Sequence, residues 1–99
     1  MYNVAGVTFG ERQKNIEKIY NSVGQYIQCS LNKTHFKNDP AIQVIENKTH
    51  LEIGWIPQES VDALYNKDIE KIFGQIGYFA DNWYVQLYSP VYIVRRKNK

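Results

Sequence analysis

The sequence predicts a mainly β (α+β) domain, with six strands curled into a small, partly closed barrel decorated by two short helices. Three observations lead there. Six segments show β-branched and aromatic enrichment or period-two alternation, whereas two others carry the i, i+3, i+4 spacing of amphipathic helices. The order is β, α, β, β, β, α, β, β, so most strands are neighbours in sequence and pair antiparallel. A six-stranded sheet in a chain of 99 residues needs closure to hide its edges. A generic α+β sandwich of the same elements is the rival arrangement.

Residues 2–9 are rich in β-branched and aromatic types and read as a strand, with Gly6 marking a bulge or close backbone approach and Gly10 the end. In residues 11–21, Ile16, Ile19 and Tyr20, followed by Val23, share one helical face. Gly24 stops that helix, and Glu11 and Lys18 suit its dipole. Residues 25–31 alternate Ile27, Cys29 and Leu31 with Gln28 and Ser30, a half-buried strand, and residues 32–40 read as a polar loop. Two strands, 41–46 and 51–56, flank the hairpin-like Asn47-Lys48-Thr49, and Pro57 closes the second. Val61, Leu64 and Tyr65, with Glu59 and Asp62 nearby, describe the second helix. Residues 69–79 and 83–94 are longer strands around Ala80-Asp81-Asn82, and Pro90 puts a bulge or an edge in the last.

The charge is unevenly spread. Residues 95–99 hold four of the twelve basic residues and no acid, so the expected organisation is one domain, 1–94, with a flexible basic tail, 95–99. Residues 12–37 carry Arg12, Lys14, Lys18, Lys33 and Lys37 against Glu17 alone, whereas residues 38–94 carry three lysines against eight acids. Such polarity suits a phosphate-bearing ligand on one side. No apolar run exceeds four residues and the first twenty lack a leader-like layout, so the expectation is a cytoplasmic protein with no membrane contact.

Catalytic signatures are missing. Cys29 has no partner for a disulfide, and with His35 and His50 it does not reproduce a zinc spacing, so it reads as a buried apolar filler. Gly74 and Gly77 lack the Lys-Ser/Thr of a phosphate loop, and Asp39, Glu46 and Glu52 lack a magnesium-holding spacing. His35 and His50 read as surface residues. A non-enzyme without a cofactor is expected.

Three segments together carry a family pattern: Val4-Ala-Gly-Val-Thr-Phe9 with Arg12-Gln13-x-Asn15-Ile16, then Asn38-Asp-Pro-Ala-Ile-Gln-Val44, then Ile53-Gly-Trp-Ile-Pro57. In order and spacing they resemble the HIRAN domain, well over residues 2–65 and in outline beyond. The resemblance implies a six-stranded barrel related to the OB-fold, in a free-standing bacterial or phage protein with a role in DNA repair. It also implies binding of single-stranded DNA at 3′ ends, by stacking bases on aromatics and contacting the terminal hydroxyl with a loop acid. Phe9 matches the family's first aromatic and Asp39 its acid. The chain departs from the family at Asn38, where an aromatic precedes the acid, and at Thr8, where the DNA-binding member has arginine. Phe36 is then the substitute ring, with Lys33, His35 and Lys37 beside it to meet phosphates.

The expected interface is therefore Phe9, Arg12, Lys14, Lys33, His35, Phe36, Lys37, Asn38 and Asp39, with single-stranded DNA as partner and RNA as the other nucleic acid it would take. Several of these residues have a plainer reading. Phe9 also fits a core position, Asp39 before Pro40 also fits a turn, and the period of Ile53 assigns Trp55 to the core. The rival function is a protein-interaction or inhibitor module using the acidic middle or the tyrosines of the last hairpin, Tyr78, Tyr84, Tyr88 and Tyr92.

Overall fold

Apolar stripes and turn residues divide the chain into nine elements in the computed structural model, which describes residues 1–67, 69–88 and, as backbone, 93–95. They are β1 (Tyr2–Asn3), α1 (Arg12–Ser22), β2 (Tyr26–Phe36), β3 (Asp39–Glu46), β4 (Glu52–Trp55), α2 (Gln58–Tyr65), β5 (Ile69–Phe79), β6 (Asn82–Leu87) and β7 (Ile93–Arg95). Six strands follow the path β1-β6-β5-β2-β3-β4 in one antiparallel sheet, and β7 also pairs with β5. This is the curled, partly closed half-barrel with two short helices that the hydrophobic pattern predicts.

Closure falls to the residues at the start of the chain. Tyr2 and Asn3 pair with Leu87 and Gln86, and the Val4 amide donates to the Val85 carbonyl at 2.9 Å. One residue on, Ala5 and Trp55 exchange two backbone hydrogen bonds, at 2.7 and 2.9 Å. Residues 2–5 thus tie the β6 edge to the β4 edge and cover part of each against pairing with another strand. So close an approach requires Gly54, because a Cβ there would press into the Ala5 carbonyl and lie 2.8 Å from Val4 Cγ1.

Inside, Ile16 and Ile19 of α1 and Val61 and Leu64 of α2 are fully buried against Ile42, Val44 and Ile72 of the sheet. The helical spacing of the sequence points to these residues. α2 also covers the stretch of β2 that β5 leaves unpaired beyond Cys29. There the Tyr65 hydroxyl donates to the Thr34 carbonyl at 3.3 Å and the Lys33 ammonium to the Lys67 carbonyl at 2.8 Å.

Three elements differ from expectation. The strand expected over residues 2–9 is confined to β1 and the bridge at Ala5, because Gly6 (φ 71°) and Gly10 (φ 61°) turn the chain back between them. The expected polar loop 32–40 is a hairpin arm, with β2 running to Phe36 and β3 starting at Asp39 around a two-residue turn. Lys37 (φ 52°) and Asn38 (φ 69°) both adopt the left-handed conformation of a type I′ turn. Pro40 is tolerated there because β4 pairs only with Gln43–Ile45, farther along β3. The expected strand 83–94 is two strands, β6 on the far half of β5 and β7 on its near half. Pro90, Tyr92 and residues 96–99 of the expected tail lie outside the described residues, whereas the backbone of Arg95 belongs to β7.

Glu46, a residue only 1% exposed, ends β3, and its carboxylate organises the next turn. It accepts from the Lys48 and Thr49 amides at 2.9 and 2.8 Å and from the Thr49 hydroxyl at 2.6 Å. Burial alone would raise its pKa, but these hydrogen bonds and the Lys48 charge outweigh it and hold the pKa below the ordinary value. Nearby Cys29 is fully buried, and desolvation together with the Glu46 charge pushes its thiol up to about 12, so it stays protonated as the apolar filler the alternation predicts. No helix among the described residues is long and apolar enough to cross a membrane.

Two outcomes follow. Gly54→Ala should lower stability by about 1–3 kcal/mol in urea unfolding, the usual range for forcing atoms into a packed site. Because the folded-state pKa of Glu46 is depressed, its contribution is complete above the ordinary carboxylate range and is lost as pH falls through that range toward the folded value. Urea midpoints from pH 7 down to about pH 3 should therefore fall less steeply for Glu46→Gln than for the wild type.

Candidate functional site

The closure at Ala5 positions everything that follows. Gly6 reverses the chain, the Phe9 amide donates back to the Gly6 carbonyl at 3.1 Å, and the Phe9 ring stands 73% exposed above the sheet. Core packing is thereby excluded for Phe9. The chain then enters α1, whose first polar residues fasten it to the strands. Gln13 donates to the Val7 and Trp83 carbonyls, both at 2.9 Å, and accepts from the Trp83 amide at 2.8 Å. Asn15 donates to the Glu52 carbonyl at 2.9 Å. The Arg-Gln-x-Asn pattern singled out in the sequence is thus an architectural clasp.

Arg12 belongs to the same clasp. Its Nε and Nη2 donate to Glu52 Oε1 at 3.0 and 2.7 Å, and its Nη1 donates to the Gly6 carbonyl at 2.9 Å. The residue is only 8% exposed, with the guanidinium carbon 5.5 Å from the Phe9 ring centre and 5.9 Å from that of Trp55. It is a held, ring-flanked cation rather than the solvated arginine that a helix start would otherwise present.

Trp55 faces outward, against the expectation that it joins Ile53 in the core. The β3–β4 register pairs Ile45 with Glu52 but Val44 with Gly54, so Ile53 is the extra residue of a bulge. Past the bulge the alternation inverts. Gly54 lies inward with Val44, and Trp55 lies outward with its partner Gln43. A glycine inside a strand pattern is the sequence signal for such a bulge, and Gly54 supplied it. Gln43 also hydrogen-bonds the second oxygen of Glu52, which steadies the acceptor of Arg12.

Phe9, Arg12, Phe36 and Trp55 converge on one open groove of about 440 Å³, completed by Ala41 and Gln58. Phe36, 57% exposed, lies with its ring centre 6.0 Å from that of Trp55, and Lys37 Nζ sits 5.4 Å from the centre of the Phe36 ring. Three of the nine expected residues therefore line the groove and Lys37 flanks it. Asn38 and Asp39 form the exposed hairpin end, with Asp39 opposite Phe36, and neither lines the groove. Lys14 is exposed on α1, 3.5 Å from Glu11. Lys33 and His35 are separated from Phe36 by strand alternation and face Tyr65 of α2, 5.9 Å from Lys33 Nζ to the ring centre and 6.2 Å between the His35 and Tyr65 rings. The sequence reading leaves Trp55, Ala41 and Gln58 out of the groove, and it does not foresee Glu52 as the partner that holds Arg12 there.

A second aromatic surface occupies the tip of the β5–β6 hairpin. Tyr78 and Phe79 are 57% and 77% exposed, and with Val7, Trp83 and Tyr84 they line a shallower depression. Trp83 anchors it against Tyr20 and Tyr78, with ring centres 5.1 and 4.8 Å away. Of the expected tyrosine stripe, Tyr84 borders this surface, Tyr88 approaches Gln75 on another face, and Tyr92 lies outside the described residues. Among the described residues, no group of three or more His, Cys, Asp or Glu side chains is placed to hold a metal ion.

No family model matches the chain, and neither a curated protein nor a solved structure does.

The clasp makes a stability prediction. Glu52→Ala orphans a buried guanidinium and should cost about 1–3 kcal/mol in urea unfolding. The double change Arg12→Met with Glu52→Ala should recover part of that loss, a coupling that a double-mutant cycle measures.

Proposed function

We propose that the protein is a non-catalytic, cytoplasmic, HIRAN-like domain that binds single-stranded DNA by stacking bases in the Phe9–Phe36–Trp55 groove. The observation that carries this reading is the convergence of three partly exposed rings on one groove beside a fixed arginine, with Lys37 at its rim against the Phe36 ring. Large exposed aromatics are costly to leave in water and are what an unpaired base requires, because every base offers a flat face. The Lys37 ammonium adds phosphate attraction, and Lys14 lies on the helix that begins beside Phe9. The preference for 3′ ends implied by the resemblance would rest on Asp39, directly across the turn from Phe36.

A second reading has its own observation. The Tyr78, Phe79 and Tyr84 surface is aromatic and exposed, as the centre of a protein-binding patch would be, and it is separate from the groove. The two readings part under mutation, since Phe79→Ser disturbs only the second surface.

Fluorescence anisotropy with short labelled strands tests the first reading. Binding should weaken steeply with salt, and Phe9→Ala or Phe36→Ala, both exposed positions, should each weaken it about 5- to 150-fold, the equivalent of ~1–3 kcal/mol for one lost stacking contact. A 3′ phosphate should weaken binding further if Asp39 meets the terminal hydroxyl. Absence of binding at low salt, or binding indifferent to both substitutions, overturns the reading in favour of the protein-binding surface.

A further inference from the structure

We infer that the groove selects guanine, and that Arg12 is the residue that reads it. This inference rests on the single-strand-binding reading above. A guanidinium has five N–H donors. Among the described residues three are engaged, by Glu52 Oε1 twice and by the Gly6 carbonyl once, which leaves one further N–H on each terminal nitrogen of Arg12. These two donors belong to a group that lines the groove, 5.5 Å from the Phe9 ring centre and 5.9 Å from that of Trp55. A base stacked in the groove therefore meets them with its edge and the rings with its face.

The edge that two adjacent donors demand is a pair of adjacent acceptors. Guanine presents that pair as O6 and N7, the commonest partner of an arginine fork. Adenine sets an amino group beside its N7 and would confront one donor with another, and thymine offers a single carbonyl flanked by a methyl group. Unpaired cytosine also has adjacent acceptors, N3 and O2, but as a pyrimidine it covers less of the ring walls than guanine, which joins the acceptor pair to a purine face. Gln58, which also lines the groove, strengthens the match. Its Nε2 donates to the Pro40 carbonyl at 3.2 Å, which leaves its amide oxygen as an acceptor for the N1–H and amino group of the same guanine. A phosphate would also satisfy two donors, but it has no flat face to cover the rings that make up the walls.

The arginine is also set in advance. Its three hydrogen bonds and two ring contacts hold the guanidinium before any ligand arrives, so little side-chain freedom is lost on binding. A base that leaves its remaining donors unpaired in a groove it has dried is penalised accordingly.

The test uses the wild-type protein and thymidine strands carrying one guanine, adenine or cytosine at either end or in the middle. A single guanine should tighten binding about 5-fold or more over thymidine alone, and 7-deazaguanine, which lacks the N7 acceptor, should lose most of that gain. Arg12→Lys, with folding checked by thermal melting, should weaken binding of the guanine strand more than that of the thymidine strand, so that the ratio between them falls toward one. Equal affinity for all four bases, a preference that survives 7-deazaguanine, or a gain that follows a terminal phosphate whatever the base overturns the inference and leaves the single-strand reading standing. Failure of every strand to bind overturns that reading itself, and the inference with it.

Discussion

The contact on which the rest of the molecule depends is the pair of backbone hydrogen bonds between Ala5 and Trp55. It unites the outer strands of a curled sheet through a segment that is already paired with β6, and it fixes where the chain leaves the sheet at Gly6. From that exit point the turn through Phe9 and the start of α1 have little choice of position. Gly54 makes the contact sterically feasible, and the bulge at Ile53 sends the next side chain, Trp55, to the outer surface. One backbone junction thus both closes the barrel and assembles an aromatic groove over the seam.

The same economy appears in the side chains. Arg12 fastens α1 to β4 through Glu52 and the Gly6 carbonyl while its guanidinium forms part of the groove. A cation used in this way is costly to bury without a partner, and the half-exposed Glu52 carboxylate supplies one that Gln43 in turn orients. Architecture and groove therefore share residues, so substitutions at Arg12, Glu52 or Gly54 act on both together. Phe9 and Phe36 extend outward from this framework and contribute to the surface alone.

Much of this is legible in the sequence wherever one face of an element meets the core. Ile16, Ile19, Val61 and Leu64 show helical spacing because they are buried, and Ile27 and Cys29 alternate for the same reason. The pattern fails where burial stops. Beyond Leu31 the side chains of β2 leave the core, burial no longer alternates along it, and nothing in its composition separates a strand from a loop. Trp55 is misread because period two assumes an unbroken register, which the bulge interrupts. Lys33 and His35 stand close to Phe36 in sequence but lie across the strand from it, since contiguity in an extended chain alternates faces. Arg12 carries no sequence mark of its partner, because Glu52 is reached only through the folded seam.

The seam also governs how the molecule comes to exist. β1 pairs with β6, and Ala5, two residues beyond it, with β4, so β1 finds its partner only after Gln86 and Leu87 have been made. Contacts of such long sequence separation are entropically late, and folds dominated by them reach the native state on the millisecond-to-second scale rather than in microseconds. During synthesis the edges of β4 and β6 have no cover until the first residues return to them, which makes that interval the time when chaperone protection or aggregation would act.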